Sequence, residues 1–204
     1  LQQEYNFEGF DKRPPQLQTT VMGLCYLHQY LVEPNIQMPK VQLKSITIFG
    51  WPVPKSRRVE LEDYFGVEIN DNYSMSEMFG GARYCHDCEA YHFDPFVHAE
   101  VVDCDTGEII EEGMGELLLT PLFPFTQRFV LLRYRTGDLV EVKRTNCPRG
   151  EFAYSFRGRL KRSLKVNDVI RIGEAEVAKA IDEIRDINRA NTHFTIFEDN
   201  NKNN

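Results

Sequence analysis

Near Tyr73 the hydrophobic pattern of this chain changes period, so the fold is neither all helix nor all strand. Before that point Leu17, Val21, Leu24, Cys25, His28 and Leu31 recur at three- and four-residue steps. That is the spacing of a buried helical stripe, which Pro34 ends. Leu43 to Phe49 reads as a short buried strand closed by Gly50-Trp51-Pro52. A second helix fits Lys55 to Phe65, with Val59 and Tyr64 or Phe65 inward and Gly66 as its C′ residue. Val67 to Asn70 is the next strand. After Tyr73 apolar residues alternate in short runs: Phe96 to Val102, Gly115 to Thr120, Phe129 to Tyr134, Leu139 to Val142 and Phe152 to Phe156. A small αβ piece begins near Arg157, with a helix through Val177, Ile181 and Ile184 and a strand from Phe194 to Phe197. Residues 1–16 and 199–204 read as polar, irregular ends. The class is mixed α/β.

Charge narrows the partners. Lys plus Arg is 24 against 31 for Asp plus Glu, a net −7, which disfavours bulk nucleic-acid or anionic-membrane binding. A small anionic ligand held by a few placed groups is compatible with it. No apolar run approaches ~18 residues, and Leu1-Gln2-Gln3-Glu4 carries no leader pattern. Five cysteines, unevenly spread, point to reduced thiols and a cytoplasmic setting.

Two segments carry chemistry. In Tyr73-Ser74-Met75-Ser76-Glu77 a strand end presents a hydroxyl beside a carboxylate, a pair able to hold a metal and the phosphate it neutralises. In Leu132-Arg133-Tyr134-Arg135-Thr136-Gly137-Asp138 an apolar run meets two arginines, a turn glycine and an acid. Such an Asp, set just beyond a sheet edge, suits ribose hydroxyls. Gly158-Arg159-Leu160-Lys161 follows about twenty residues later. The plainer alternatives are solvated carboxylates for Glu77 and Asp138, and interior ion pairs for Arg133 and Arg135.

In this order the segments resemble the adenylate-forming acyl-CoA synthetase superfamily, and its phenylacetate–CoA ligase branch in particular. Tyr134-Arg135-Thr136-Gly137-Asp138 matches a family motif without change, and Tyr73 to Glu77 is similar to Tyr-Gly-x-Thr-Glu. Asp105-Thr106-Gly107-Glu108 and Gly115-Glu116-Leu117 resemble a connecting hairpin, and Phe49-Gly50-Trp51-Pro52 resembles a Gly-x-Pro segment. Gly158-Arg159 resembles the hinge motif, with Lys165 where a lysine is usual.

The resemblance implies the C-terminal half of a large domain with a β-rich subdomain (1–157), then a hinge and truncated lid (158–204). It implies ATP, AMP, magnesium and coenzyme A as ligands and an aryl or arylacetic acid as substrate. An acyl-protein synthetase or a zinc-stabilised, non-catalytic nucleotide-binding remnant is the alternative. Ser76 and Glu77 would place magnesium and the α-phosphate, Asp138 the ribose, and Arg159 the nucleotide from the hinge. Gly50, Trp51, Pro52, Asp71, Asn72 and Tyr73 would line the adenine, and Lys161 would be the catalytic hinge residue. The family's phosphate loop and lid lysine have no counterpart in these residues, and Asn167 and Asp168 stand where a glycine is usual. The missing upstream ligase segment is an expected partner.

Cys85-His86-Asp87-Cys88, followed by His92, gives two thiolates and an imidazole at zinc-ligand spacing. Cys147, in the turn Cys147-Pro148-Arg149-Gly150, is the fourth candidate. His86 and His98 are rival ligands, Cys25 belongs to a helix stripe, and Cys104 has no assignment. The resembling branch often has a Cys-Pro-Cys-Gly turn here, so Arg149 replaces a cysteine while Cys85 supplies one upstream.

Overall fold

The computed structural model describes residues 16–32, 43–127, 131–166 and 170–184. The expected stop at Pro34, Asn167, Asp168, the strand Phe194 to Phe197 and the polar ends at 1–15 and 199–204 lie outside the described residues. Among the described residues, ten strands form one sheet in the order β1-β2-β3-β4-β5-β10-β9-β8-β6-β7. They are β1 (Gln16–Thr20), β2 (Ser45–Phe49), β3 (Ile69–Ser74), β4 (Gly81–Cys85), β5 (Ala90–Phe93), β6 (Val97–Val102), β7 (Ile109–Ile110), β8 (Gly113–Pro121), β9 (Tyr134–Arg144) and β10 (Phe152–Arg159). The pairs β1–β2 and β2–β3 are parallel, and every pairing beyond them is antiparallel. Helices α1 (Val21–Leu31) and α2 (Lys55–Phe65) connect the parallel strands, as parallel pairing requires. A 3-10 turn (Leu160–Arg162), the ribbon β11 (Leu164–Val166) with β12 (Ile170–Ile172), and α3 (Glu174–Asp182) follow. No helix among these residues is long and apolar enough to cross a membrane.

The first apolar stripe is not one helix. Leu17 lies in β1, and helix begins only at Val21, where the Thr20 hydroxyl accepts from Gly23 N at 3.1 Å. The parallel ladder with β2 claims residues 17–20, which local spacing assigned to helix, and Gln16, expected in the irregular lead-in. Leu24, Ile46, Ile48, Leu61 and Ile69 are fully buried in the core beneath α1 and α2. Helix α2 ends at Gly66 in a left-handed cap, as its sequence predicts.

The inward face of α2 differs from expectation in part, although Phe65 packs against the core as expected. Val59 is exposed, while Arg57, Arg58 and Leu61 are buried. The two arginines turn inward because carboxylates await them: Arg57 Nε donates to Asp182 of α3 at 3.2 Å, and Arg58 Nη2 to Asp71 at 2.5 Å. The strand expected at Val67 to Asn70 runs from Ile69 to Ser74. Of the strand expected from Phe129 to Tyr134, Phe129 and Val130 lie outside the described residues, 131–133 are not strand, and Tyr134 opens β9, which continues through Gly137 to Arg144.

Two bulges shape that region. Between the pairs Glu116–Leu139 and Leu118–Arg135, Leu117 of β8 faces Thr136, Gly137 and Asp138 of β9. Gly137 takes φ 72°, and the Thr136 hydroxyl donates to Leu117 O and accepts from Asp138 N, both at 3.0 Å. A second bulge in β10 leaves Arg157 without a cross-strand partner and brings Arg159 opposite Asp138. Bulges re-aim side chains at a sheet. These two turn Asp138 and Arg159 toward one place.

Candidate functional site

That place is a cavity of about 360 Å³ at the ends of β2, β3 and β10 and beside Asp138, which lies inside β9 rather than just beyond a sheet edge as expected. Its wall contains Gly50, Trp51, Pro52, Asp71, Asn72, Tyr73, Asp138 and Arg159, all expected from the sequence at a nucleotide site. Ser74, Tyr91, Phe156, Gly158, Arg162 and Glu174 complete it. These lacked a site signal of their own, apart from Ser74 in the Tyr73 to Glu77 segment and Gly158 in the hinge motif. The Phe152 to Phe156 alternation could have drawn attention to Phe156.

Asp138 is 8% exposed. Tyr73 OH donates to its Oδ2 at 2.7 Å, and Arg159 Nη1 lies 3.2 Å from Oδ1. Burial pushes the Asp138 carboxyl above the ordinary carboxylate range, against the opposing pull of Tyr73, Arg159 and Thr136. Burial and the Asp138 charge together hold the Tyr73 phenol far above its usual range, so it remains a donor. A carboxylate has about four lone-pair sites. Two are engaged here, leaving acceptor capacity for a pair of ligand hydroxyls.

Aromatic rings and ion pairs set the walls. Tyr73 stacks on Phe156 at 4.1 Å and 21°, and Tyr91 meets the same ring edge-on at 5.0 Å. Tyr91 OH also donates to Asp71 Oδ2 at 2.6 Å, beside Arg58. Arg58 in turn lies over the Tyr84 ring at 3.9 Å. Burial raises the Asp71 carboxyl, opposed by Arg58 and Tyr91. Glu174, at the start of α3, accepts from Arg159 N and Arg162 Nη1, each at 3.1 Å. At Gly158 (φ 116°) a Cβ would come within 2.9 Å of the Glu174 Cβ, so only glycine lets α3 approach this closely.

Ser76 and Glu77 stand elsewhere. Both are exposed in the turn after β3 and line a separate open cavity with Met78, Phe79 and residues 124–127. Lys161 is exposed in the 3-10 turn and is absent from the wall of either cavity. Lys165 pairs with Asp105 at 2.9 Å.

Cys85, Cys88, His92 and Cys147 converge, with all four ligating atoms within 4.8 Å of one another. Cys85 Sγ lies 3.8 Å from Cys147 Sγ, and Cys88 Sγ 3.1 Å from His92 Nε2. Zinc bonded to sulfur at ~2.3 Å in a tetrahedron needs sulfurs about 3.8 Å apart. The donor set fits such an ion. The 147–150 turn is held by Gly150 N donating to Cys147 O at 3.1 Å and by Cys147 N donating to Thr145 Oγ1 at 3.2 Å. A Cβ at Gly150 would meet His92 Nδ1 at 3.2 Å. The rivals fall outside the cluster: His86 pairs with Glu62 at 3.0 Å, and His98 is exposed on β6. Cys25 is buried under α1, and no disulfide joins any of the five cysteines.

No protein-family model and no curated protein matches the sequence. Solved structures do match in fold. A 2-hydroxyisobutyryl-CoA ligase in the postadenylation state with R3-HIB-AMP aligns at TM-score 0.67 and 18% identity, over 84% of this chain and 38% of that one. The anthranilate CoA ligase AuaEII with anthranoyl-AMP aligns at 0.65 and 18%, over 86% and 35%. A benzoate CoA ligase from Burkholderia xenovorans LB400 aligns at 0.58 and 21%, over 82% and 35%. The chain therefore has the fold of part of an adenylate-forming acyl-CoA ligase and spans little more than a third of the length of these three.

Proposed function

We propose that the chain is the nucleotide-binding part of an ATP-dependent carboxylate–CoA ligase, similar to phenylacetate–CoA ligases and acting on an aryl or arylacetic acid. The observation that carries this is the convergence of four separated motifs on one cavity: Gly50 to Pro52, Asp71 to Tyr73, Asp138, and Gly158 with Arg159. Asp138 would accept from both ribose hydroxyls, Arg159 would support the nucleotide, and the Tyr73 and Trp51 rings would flank the base. In the complete enzyme the acid and ATP would give acyl-adenylate and pyrophosphate, and coenzyme A would then take the acyl group as a thioester. Ser76 and Glu77 would hold magnesium at the phosphates when the nucleotide extends beyond the cavity. The lid would begin at Gly158 and turn about Lys161. Five thiols without a disulfide favour the reducing cytoplasm.

Adenosine binding by calorimetry tests the reading without the titration of a phosphate. Asp138→Ala should weaken binding about 10- to 150-fold, the loss expected for charge-assisted hydrogen bonds worth ~1.5–3 kcal/mol. Glu77→Ala should weaken it less when magnesium is absent. A pH series adds a signature. Protonation turns Asp138 from an acceptor into a donor, so affinity should fall with acidification. Since burial raises this carboxyl, the fall should begin above the ordinary value near ~3.9 and vanish in Asp138→Asn. Equal affinity of wild type and Asp138→Ala would remove the ribose role.

We also propose that Cys85, Cys88, His92 and Cys147 hold one structural zinc with all four positions filled by protein, which leaves the ion no chemistry to do. Protein purified without added metal should contain about one zinc per chain, by elemental analysis. Zinc retained at full occupancy in a Cys88→Ser, Cys147→Ser double variant would sink the assignment. This closed cluster, with Ser76 and Glu77 outside the Asp138 cavity, favours a second reading: a zinc-stabilised module that binds nucleotide without catalysis.

A further inference from the structure

The shortest ladder of the large sheet lies between β5 and β10, where Tyr91 and Tyr154 form a single register pair. The flanking ladders are longer, with four pairs between β4 and β5 and seven between β10 and β9. Fewer ladder bonds make a local seam, and segments with little backbone pairing open most readily. The Cys/His cluster straddles this seam. Cys85, Cys88 and His92 belong to the β4–β5 hairpin, whereas Cys147 belongs to the loop joining β9 to β10. The cavity straddles it too, with Asp71, Tyr73 and Tyr91 on one side and Asp138, Phe156 and Arg159 on the other.

Cluster and cavity share residues' neighbours along the chain. Tyr91 directly precedes His92, and its hydroxyl holds Asp71. Tyr84 directly precedes Cys85, and its ring carries the Arg58 guanidinium that holds the same carboxylate. The Tyr73–Asp138 hydrogen bond and the Tyr73–Phe156 stack, which shape the cavity, both reach across the seam.

We propose that a zinc ion bound by Cys85, Cys88, His92 and Cys147 acts as a positioning staple across the β5–β10 seam, so that nucleotide affinity depends on the metal although the metal touches no nucleotide. Bonds at ~2 Å to ligands from both sides constrain the seam far more tightly than one backbone pair does. Without the ion, the β4–β5 hairpin can drift against β10. Asp71 and Tyr73 then lose register with Asp138 and Arg159. This rests on the nucleotide reading above.

The test uses the whole chain in three forms: zinc-loaded, stripped by a chelator, and reloaded. Amide hydrogen exchange at β5 and β10 reads the seam without any ligand, and calorimetry with AMP reads the cavity. Stripping should speed exchange at Tyr91 and at residues 153–156 and raise the AMP Kd about 10- to 100-fold, the scale expected when positioning of a site is loosened. Reloading should reverse both. Cys147→Ser should behave as the stripped protein, and Cys147→His, which keeps a ligand, should behave as the parent. Should Cys147→Ser not fold, the reversible stripping still decides. Unchanged exchange and unchanged AMP affinity after complete zinc loss would overturn the staple. A zinc-loaded chain that does not bind AMP would overturn the nucleotide reading instead, and the exchange measurement would still decide the seam.

Discussion

Carboxylate-dependent pyrophosphate exchange by this 204-residue chain is expected to be undetectable with any aryl acid, even where AMP binds. The cavity gathers groups suited to ribose and base, but none of its lining residues is a lysine, and its two arginines are already committed to carboxylates. Adenylyl transfer needs donors fixed around charge that develops on the α-phosphate and on the departing pyrophosphate. Removing one such donor costs ~10²–10³ in rate, and the phosphate loop and lid lysine that the family resemblance implies are not in this wall. Ser76 and Glu77, proposed above to hold magnesium, sit exposed beside a different cavity. The assay is exchange of labelled pyrophosphate into ATP with benzoate, phenylacetate and related acids, with an intact benzoate CoA ligase as positive control. Exchange above background by the chain alone would show that its own residues complete the phosphate site.

A second large effect is expected on stability. Arg58→Leu should destabilise the chain by ~3–5 kcal/mol in urea unfolding, because it strands a buried carboxylate. Asp71 is 3% exposed and accepts from Arg58 at 2.5 Å and Tyr91 at 2.6 Å. Removing the guanidinium also strips Ile69 O of its 3.3 Å donor and leaves the Tyr84 face uncovered. The double change Arg58→Leu, Asp71→Leu should recover most of the loss, since replacing both members of a buried pair by apolar side chains is often near neutral. The two carboxyls raised by burial, Asp71 and Asp138, favour the fold when protonated. Their contribution is present in full below the ordinary carboxylate pKa and lost as pH rises through their raised values. In Arg58→Leu the Asp71 part of that loss should extend to higher pH. A stability change under ~1 kcal/mol for Arg58→Leu would mean that Asp71 is served by water rather than by Arg58.

The elements most legible in the sequence are those whose cues are local. Gly66 in its left-handed cap, the turn at 105–107 and the strand read over Phe96 to Val102, found at Val97–Val102, depend on neighbours a few residues away. Gly137, read as a turn glycine, was legible only as a special position: its φ of 72° excludes most side chains without strain, but it sits in a bulge inside β9. The cysteine cluster was legible for a related reason: ligand chemistry restricts which residue types can converge, and Cys85, Cys88 and His92 lie within eight positions.

Tertiary pairing decided the rest. Residues 17–20 carry a helix-compatible spacing, yet the parallel ladder with β2 offers each of them a backbone partner, so they are strand. The inward face of α2 could not be read from hydrophobicity. Arg57 and Arg58 are apolar-facing only because Asp182, 125 positions away, and Asp71 neutralise them. Glu174 enters the cavity wall only because Gly158 lets α3 come close. The motifs named the groups able to hold a nucleotide, since chemistry is a property of the side chain. Which of them meet, with Asp138 beside Tyr73 and Arg159 but Ser76 and Glu77 apart, was decided by two bulges and one short ladder, because distance between remote residues is a property of the sheet.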